Sequence, residues 1–272
     1  MSQKKEQKGQ SPKIDNQNGQ QSLKKRTQNG QNPKKKNQKR QHNPKKKSQK
    51  GSTNLITMTK PKSSTSEQYR TIRTNIEFSI VDTTLTTLSC TSAIPEEGKT
   101  TTISNLAVTI AQQGQKVLLV DADLRKPTIH QIIGLKKNQF GLTSLITKTA
   151  KPDQAISKSP EIPNLSILPS GPIPPNPSEL LSSNKMEELI SDFSEKYDMV
   201  LFDTPPILAV TDAQILSSHC DGVVLVIRSR RTEKKDLIKA KELLDRTKCN
   251  ILGTIFNDVD QKDAYYYYER AE

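Results

Sequence analysis

Residues 91–101, Thr91-Ser92-Ala93-Ile94-Pro95-Glu96-Glu97-Gly98-Lys99-Thr100-Thr101, carry the chain's most legible chemistry. Gly98 allows close backbone approach to an anion, and the amides that follow, with the start of a helix, make a phosphate cradle. Lys99 would reach the terminal phosphates of a nucleotide, and the Thr100 hydroxyl would ligate Mg²⁺. The full pattern G-x-x-x-x-G-K-[ST] is met except at Ala93, which stands where the first glycine belongs. Two apolar runs end in acids. Val117–Val120 leads into Asp121-x-Asp123-x-Arg125, and Met199–Phe202 leads into Asp203-Thr204-Pro205-Pro206. Carboxylates at strand ends beside a phosphate loop hold Mg²⁺, usually through its waters, because the ion gives up water reluctantly. The structural alternative is that each Asp caps the turn after it.

Such groups work only if a scaffold brings them together, and the apolar periodicity supplies one. Strands are predicted at Leu85–Ser92, Lys116–Asp121, Leu165–Pro169, Met199–Asp203, Gly222–Ile227 and Asn250–Asn257. Helices are predicted at Lys99–Gln113, Ser178–Lys196 and Thr232–Arg246. Continuous apolar strands alternating with helices imply an α/β fold of the P-loop NTPase type, a mostly parallel sheet with helices on both faces. That architecture binds ligands beyond the carboxyl ends of its strands, where the motifs fall.

Charge divides the chain. Residues 1–50 hold 16 Lys and Arg against Glu6 and Asp15, so this segment alone carries more positive charge than the whole chain's +13. We therefore expect a disordered basic tail at 1–55, a folded body at 56–260 and a second tail at 261–272. The basic tail is open to three readings: a solubiliser, a binder of anionic membrane surfaces, or a non-specific binder of nucleic acid without aromatic residues for stacking. Cys90, Cys220 and Cys249 fit neither a disulfide framework nor a zinc motif, and read as reduced thiols of a cytoplasmic protein. No apolar run approaches the ~20 residues of a membrane span and no secretory leader is visible, so membrane association must be peripheral, through the tail or a partner.

Four of six tyrosines are consecutive, Tyr265, Tyr266, Tyr267 and Tyr268; the others are Tyr69 and Tyr197. A strand would leave about half of such a run facing water, so the cluster reads as a phosphoacceptor. A phenol with a pKa near ~10 attacks phosphorus more readily beside a carboxylate base, either Asp121 or Asp123. Lys99, Arg125 and Mg²⁺ would stabilise charge on the transferring phosphoryl oxygens.

Together these motifs resemble the bacterial tyrosine kinase family. Ser92, Pro95, Gly98, Lys99 and Thr100 match its phosphate loop, Asp121, Asp123 and Arg125 its second Walker-like motif, and Asp203 its Walker B aspartate. Glu67-x-x-Arg70-x-x-Arg73 resembles the family's subunit-contact helix, and Pro174–Leu181 a characteristic loop. The resemblance covers about residues 60–272 and leaves the basic tail unaccounted for. It implies an ATP- and Mg²⁺-dependent protein-tyrosine kinase that autophosphorylates between subunits of a ring-like homo-oligomer. It also implies a role in capsule or exopolysaccharide synthesis and export, other tyrosine-phosphorylated protein substrates, and a separate transmembrane activator. Asn257 resembles an adenine-contacting asparagine. Glu67 would pair with Arg70 or Arg73 of a neighbouring subunit, or with Arg70 within its own helix. The related partitioning and septum-placement ATPases share the fold but carry a signature lysine where this chain has Ile94.

Overall fold

A computed structural model of the chain describes residues 55–79, 84–134 and 139–259. The basic segment before Leu55 and the tyrosine cluster at 265–268 lie outside the described residues. The elements run α1 (Ile56–Thr59), α2 (Ser64–Phe78), β1 (Thr87–Ser92), α3 (Lys99–Ala111), β2 (Val117–Asp121), α4 (Ile129–Ile132), α5 (Leu142–Ile146), α6 (Pro152–Ala155), β3 (Ser157–Lys158) and β4 (Leu165–Leu168). They continue with α7 (Pro177–Leu181), α8 (Asn184–Lys196), β5 (Met199–Asp203), α9 (Asp212–Ser217), β6 (Gly222–Arg228), α10 (Lys234–Arg246) and β7 (Ile251–Asn257).

The seven strands form one sheet in the order β3-β4-β2-β5-β1-β6-β7, with all pairings parallel except β3 with β4. Every residue of β1, β2, β4 and β5 is buried; the apolar runs of β2 and β5 fit a sheet covered on both faces, and the polar residues of β1 are small Ser and Thr. One face packs on α3, whose Ile103, Leu106 and Ile110 meet Leu88, Leu119 and Leu201. The other packs on α8 and α5 through Phe193, Leu189 and Leu145 against Leu118, Val200 and Phe202. Leu55, which composition assigned to the basic tail, is fully buried in the α3-side core.

The predicted single helix over 178–196 is two helices. The Ser183 hydroxyl accepts from the Met186 amide and starts α8 afresh, because Ser182-Ser183 offers the backbone a side-chain cap in place of another helical turn. Helix α3 is buried around nearly its whole circumference, since α1 and α2 cover the side that the sheet does not. Asn105 ties these layers together: its Oδ1 accepts from the Thr57 amide and hydroxyl at 3.1 and 2.8 Å. Cys90 is buried and Cys220 and Cys249 half-buried, all as free thiols. No helix among the described residues is long and apolar enough to cross a membrane.

Candidate active site

The parallel register puts the candidate residues side by side. Asp121 and Asp203 are Cα partners at the ends of β2 and β5, about 5 Å apart by strand spacing. β1, the other neighbour of β5, runs into the loop that ends at Lys99. Gly98 has φ +88°, a conformation that L side chains avoid, and the Asn257 amide occupies the space a Cβ there would need. Asn257, the last residue of β7, donates from Nδ2 to the Glu97 carbonyl at 3.0 Å and so pins the loop from the far side. Glu97 is fully buried: its Oε2 accepts from the Ile94 amide at 2.9 Å, and its Oε1 accepts from the Thr232 hydroxyl. Ser92 closes the same turn by donating to the Ile94 carbonyl. Glu96, at φ +65°, is exposed and paired with Arg231 at 2.7 Å. Ala93 is buried against the α9–α10 side, Ile94 packs partly on the same cluster, Pro95 is exposed, and Thr101 faces out from the first turn of α3.

Lys99 lies among acids. Its Nζ is 3.3 Å from Asp203 Oδ1, 3.4 Å from Asp123 Oδ2 and 3.2 Å from Thr100 Oγ1. Burial pulls the ammonium down, but Asp203 and Asp123 outweigh it and hold its pKa above the usual lysine value. The Thr100 hydroxyl donates to Asp203 Oδ2 at 2.6 Å. Burial raises Asp203 above the ordinary carboxylate range, against the pull of Lys99 and Thr100. Asp121 differs. Its Oδ2 accepts from the Thr128 and Ile129 amides, both at 3.0 Å, while its fully buried Oδ1 has no partner. Burial, then the charge of Asp203, pushes its carboxyl up to about 8. Asp123 Oδ1 caps the next turn by accepting from the Arg125 and Lys126 amides. The turn-capping reading applies to two of these acids: Asp121 and Asp123 each spend one oxygen on a turn and leave the other toward the interior or the lysine.

The described acids fit a hydrated cation. No three His, Cys, Asp or Glu side chains among the described residues form a cage of their own. Two adjacent buried carboxylates, one with an oxygen lacking any partner, still suit an ion that keeps most of its water and takes further oxygens from a phosphate.

Two groups of predicted residues lie elsewhere. Arg125 turns from the phosphate loop to Asp212, donating from Nε and an amino group at 2.9 Å each. On α2, Glu67 pairs with Arg70 of its own helix, and Arg73 pairs with Glu77 at 3.5 Å and donates to the Thr109 carbonyl. A cleft of about 1140 Å³ between α2 and β7 reaches Arg228, Asn257 and Asp258 but not Lys99. Asp212 and the latching role of Glu97 were invisible in the motifs. Asp212 stands nine residues after Asp203 at the start of α9, where an acid reads as an ordinary helix-start residue.

Residues 97–250 match the AAA domain family. The tyrosine-protein kinase YwqD of Bacillus subtilis is 56% identical over 217 residues, which cover 79% of this chain and 91% of that protein. The crystal structure of the chimerical protein CapA2B2 shares 42% identity at a TM-score of 0.73, covering 76% of this chain and 90% of that one. The septum site-determining protein MinD of Pyrococcus horikoshii, solved with Mg-ADP, is 27% identical at a TM-score of 0.56 over 66% of this chain and 75% of its own. Identity of this extent, over nearly the whole of the Bacillus kinase, places the chain within the bacterial tyrosine-protein kinase family.

Proposed function

We propose that the chain moves the γ-phosphoryl group of ATP to tyrosine hydroxyls, beginning with Tyr265–Tyr268 of a neighbouring subunit. The observation that carries this reading is the position of Lys99 between Asp123, Asp203 and Thr100, beside the half-satisfied Asp121. In the transfer, a phenolic oxygen forms a bond to the γ-phosphorus, the bridging bond to the β-phosphate breaks, and ADP leaves. The phenolic proton passes to a carboxylate of the Asp121–Asp123 pair. Residues 92–101 cradle the phosphates and Lys99 meets the charge on the transferring group. Thr100, Asp121 and Asp203 would hold Mg²⁺, which supplies electrostatic stabilisation of phosphate oxygens when bound. Asn257, fixed beside Gly98, would meet the nucleotide at the β7 end of the loop.

The family supports further proposals: a ring-like homo-oligomer joined through α2, a separate transmembrane activator, further protein substrates, and control of capsule or exopolysaccharide export. Glu67 engages Arg70 within its own helix, so a ring contact would add a partner to that pair or exchange it. The basic segment 1–55 would favour anionic membrane surfaces at roughly 1 kcal/mol per basic residue close to the surface. Each tail phosphate adds about −1.5 to −2 charges, so a phosphorylated cluster would be repelled by the acidic site and loosen the ring.

One experiment tests the core of this reading. Trypsin cuts after Lys262 and Arg270, releasing the four clustered tyrosines on one peptide. After incubation with Mg-ATP, alone and with the cytoplasmic segment of a membrane partner, that peptide should gain phosphates in the wild type and none in Lys99→Met. Sedimentation of the same samples should show the assembly loosening as phosphates accumulate. ATP hydrolysis with an unmodified peptide in every condition would instead make the chain a regulatory ATPase of the MinD kind.

A further inference from the structure

Arg125 is held along one edge by groups outside the phosphate loop. Its Nε donates to Asp212 Oδ2 and its Nη2 to Asp212 Oδ1, both at 2.9 Å. Nη2 also donates to Ser178 Oγ at 3.1 Å, and the Ser178 hydroxyl donates to Asp212 Oδ1 at 3.0 Å. Asp212 is fully buried, so a single desolvated carboxylate ties together three segments: the loop after β2, the start of α7 and the start of α9. A guanidinium has five N–H donors in a rigid plane. These contacts use three of them on one edge and leave the two of Nη1, on a side chain that is 38% exposed. A planar cation fixed along one edge and open on the other is built to receive an anion there with little loss of rotamer freedom.

The chain's own sequence identifies a suitable anion. The tyrosine run is bracketed by Asp263 on one side and Glu269 on the other. Ile173, 61% exposed, and Pro175 lie on the segment that leads to Ser178 and offer apolar surface for aromatic rings close in sequence to that contact. The phosphoryl group already has Lys99 and the strand-end acids to organise it. We propose that Arg125 reads the acceptor, pairing with a carboxylate that flanks the target tyrosines, and that Asp212 and Ser178 are positioning residues that aim it. The substrate class that follows is a tyrosine segment with an acidic neighbour. This inference rests on the kinase reading above and gives Arg125 a task other than the phosphoryl-charge role expected from sequence.

The test uses full-length chains throughout. The enzyme carries Phe at all four tail tyrosines, so it cannot label itself there. The acceptor is the Lys99→Met chain with its tail intact, or with Asp263→Asn and Glu269→Gln. Initial rates of phosphate appearance on residues 263–270 should favour the acidic tail by about 10- to 100-fold, the range of one charge-assisted contact. That ratio should fall toward one with the Arg125→Gln or Asp212→Asn enzyme and take an intermediate value with Arg125→Lys. A merely structural role for Asp212 would slow both tails alike and leave the ratio intact. Three results would overturn the proposal: equal rates on the two tails with the starting enzyme, a ratio that survives Arg125→Gln, or a ratio lost only with Lys126→Gln. Absence of phosphate on both tails would sink the kinase reading with it, which the wild-type tail peptide reports independently.

Discussion

Glu97 and Asp121 are both fully buried carboxylates in one site, and the protein treats them in opposite ways. Glu97 has each oxygen occupied, by the Ile94 amide and the Thr232 hydroxyl, so its burial fixes the phosphate loop against the β6–α10 connection. Asp121 has one oxygen capping the start of α4 and the other facing no donor, with Asp203 as its strand-register neighbour. A satisfied buried charge is architecture. A half-satisfied one beside a second acid is a standing cost that only a bound cation or a proton relieves. The loop wall of the site is thus preassembled, and we expect a ligand to complete the acid wall.

Substitution should separate the two walls most sharply. Asp203→Asn removes one of the two carboxylates facing Lys99 and should lower tail phosphorylation by about 10²- to 10³-fold, while the relief of its repulsion with Asp121 and Asp123 leaves the ligand-free protein as stable as wild type or more so. Thr232→Val, by contrast, strips a donor from buried Glu97 and should cost about 1–3 kcal/mol, lowering Tm by several degrees at this size. Phosphate counting on the tail peptide and thermal melts without nucleotide read the two effects. If Asp203→Asn destabilised the ligand-free fold as much as Thr232→Val, the contrast between the walls would be wrong.

The next effect is one of pH. Asp121 has a pKa raised from 3.8 to about 8 in the folded protein. Between those values the folded state keeps a proton that the unfolded state has released. The stabilisation is therefore greatest below the unfolded pKa and is lost as pH rises toward the folded one. Asp203, also raised, adds a contribution of the same sign. Ligand-free Tm should fall relative to Asp121→Asn by roughly 5–10 °C between pH 5 and pH 8, corresponding to a few kcal/mol. Mg-ATP should displace the proton and stabilise the wild type more at pH 8 than at pH 6. Parallel Tm profiles for wild type and Asp121→Asn would remove Asp121 from this account.

The contrast between walls also explains what could be read before the fold was known. Lys99, Thr100, Asp121 and Asp203 were legible because chemistry sets their types and strand ends set their spacing. The apolar runs of β2 and β5 announced themselves for the same reason: burial on both faces leaves no polar alternation. Helix α2 was visible only through the family motif, because its own residues are mostly polar and its support comes from packing on α3. The break at Ser182-Ser183 was hidden because serines are tolerated inside helices until a local cap competes. Asp212 was hidden because its partner lies 87 residues away, and no local pattern encodes a pairing set by the return of α9 to the loop after β2. Residues of the phosphate-loop and strand-end motifs carry local signatures, whereas a residue such as Asp212, defined by a distant partner, needs the fold.

Asn257 gives the smallest expected effect and distinguishes a clamp from a contact. Its Nδ2 holds the Glu97 carbonyl at 3.0 Å, and its amide fills the space beside Gly98. As a clamp alone, it contributes one partly buried hydrogen bond and some packing. Asn257→Ala should then cost about 1 kcal/mol, lowering Tm by roughly 2–4 °C, with KM for ATP nearly unchanged. If Asn257 also meets the base, the same substitution should raise KM for ATP about tenfold and weaken the preference for ATP over GTP, because a purine-edge hydrogen bond carries that discrimination. The loop wall predicts the loss of Tm whichever way KM falls, since the Glu97 contact exists without nucleotide. Loss of ATP selectivity with no change in Tm would reverse the assignment, making Asn257 part of the ligand-completed side of the site and leaving buried Glu97 to hold the loop through Thr232 and Ile94.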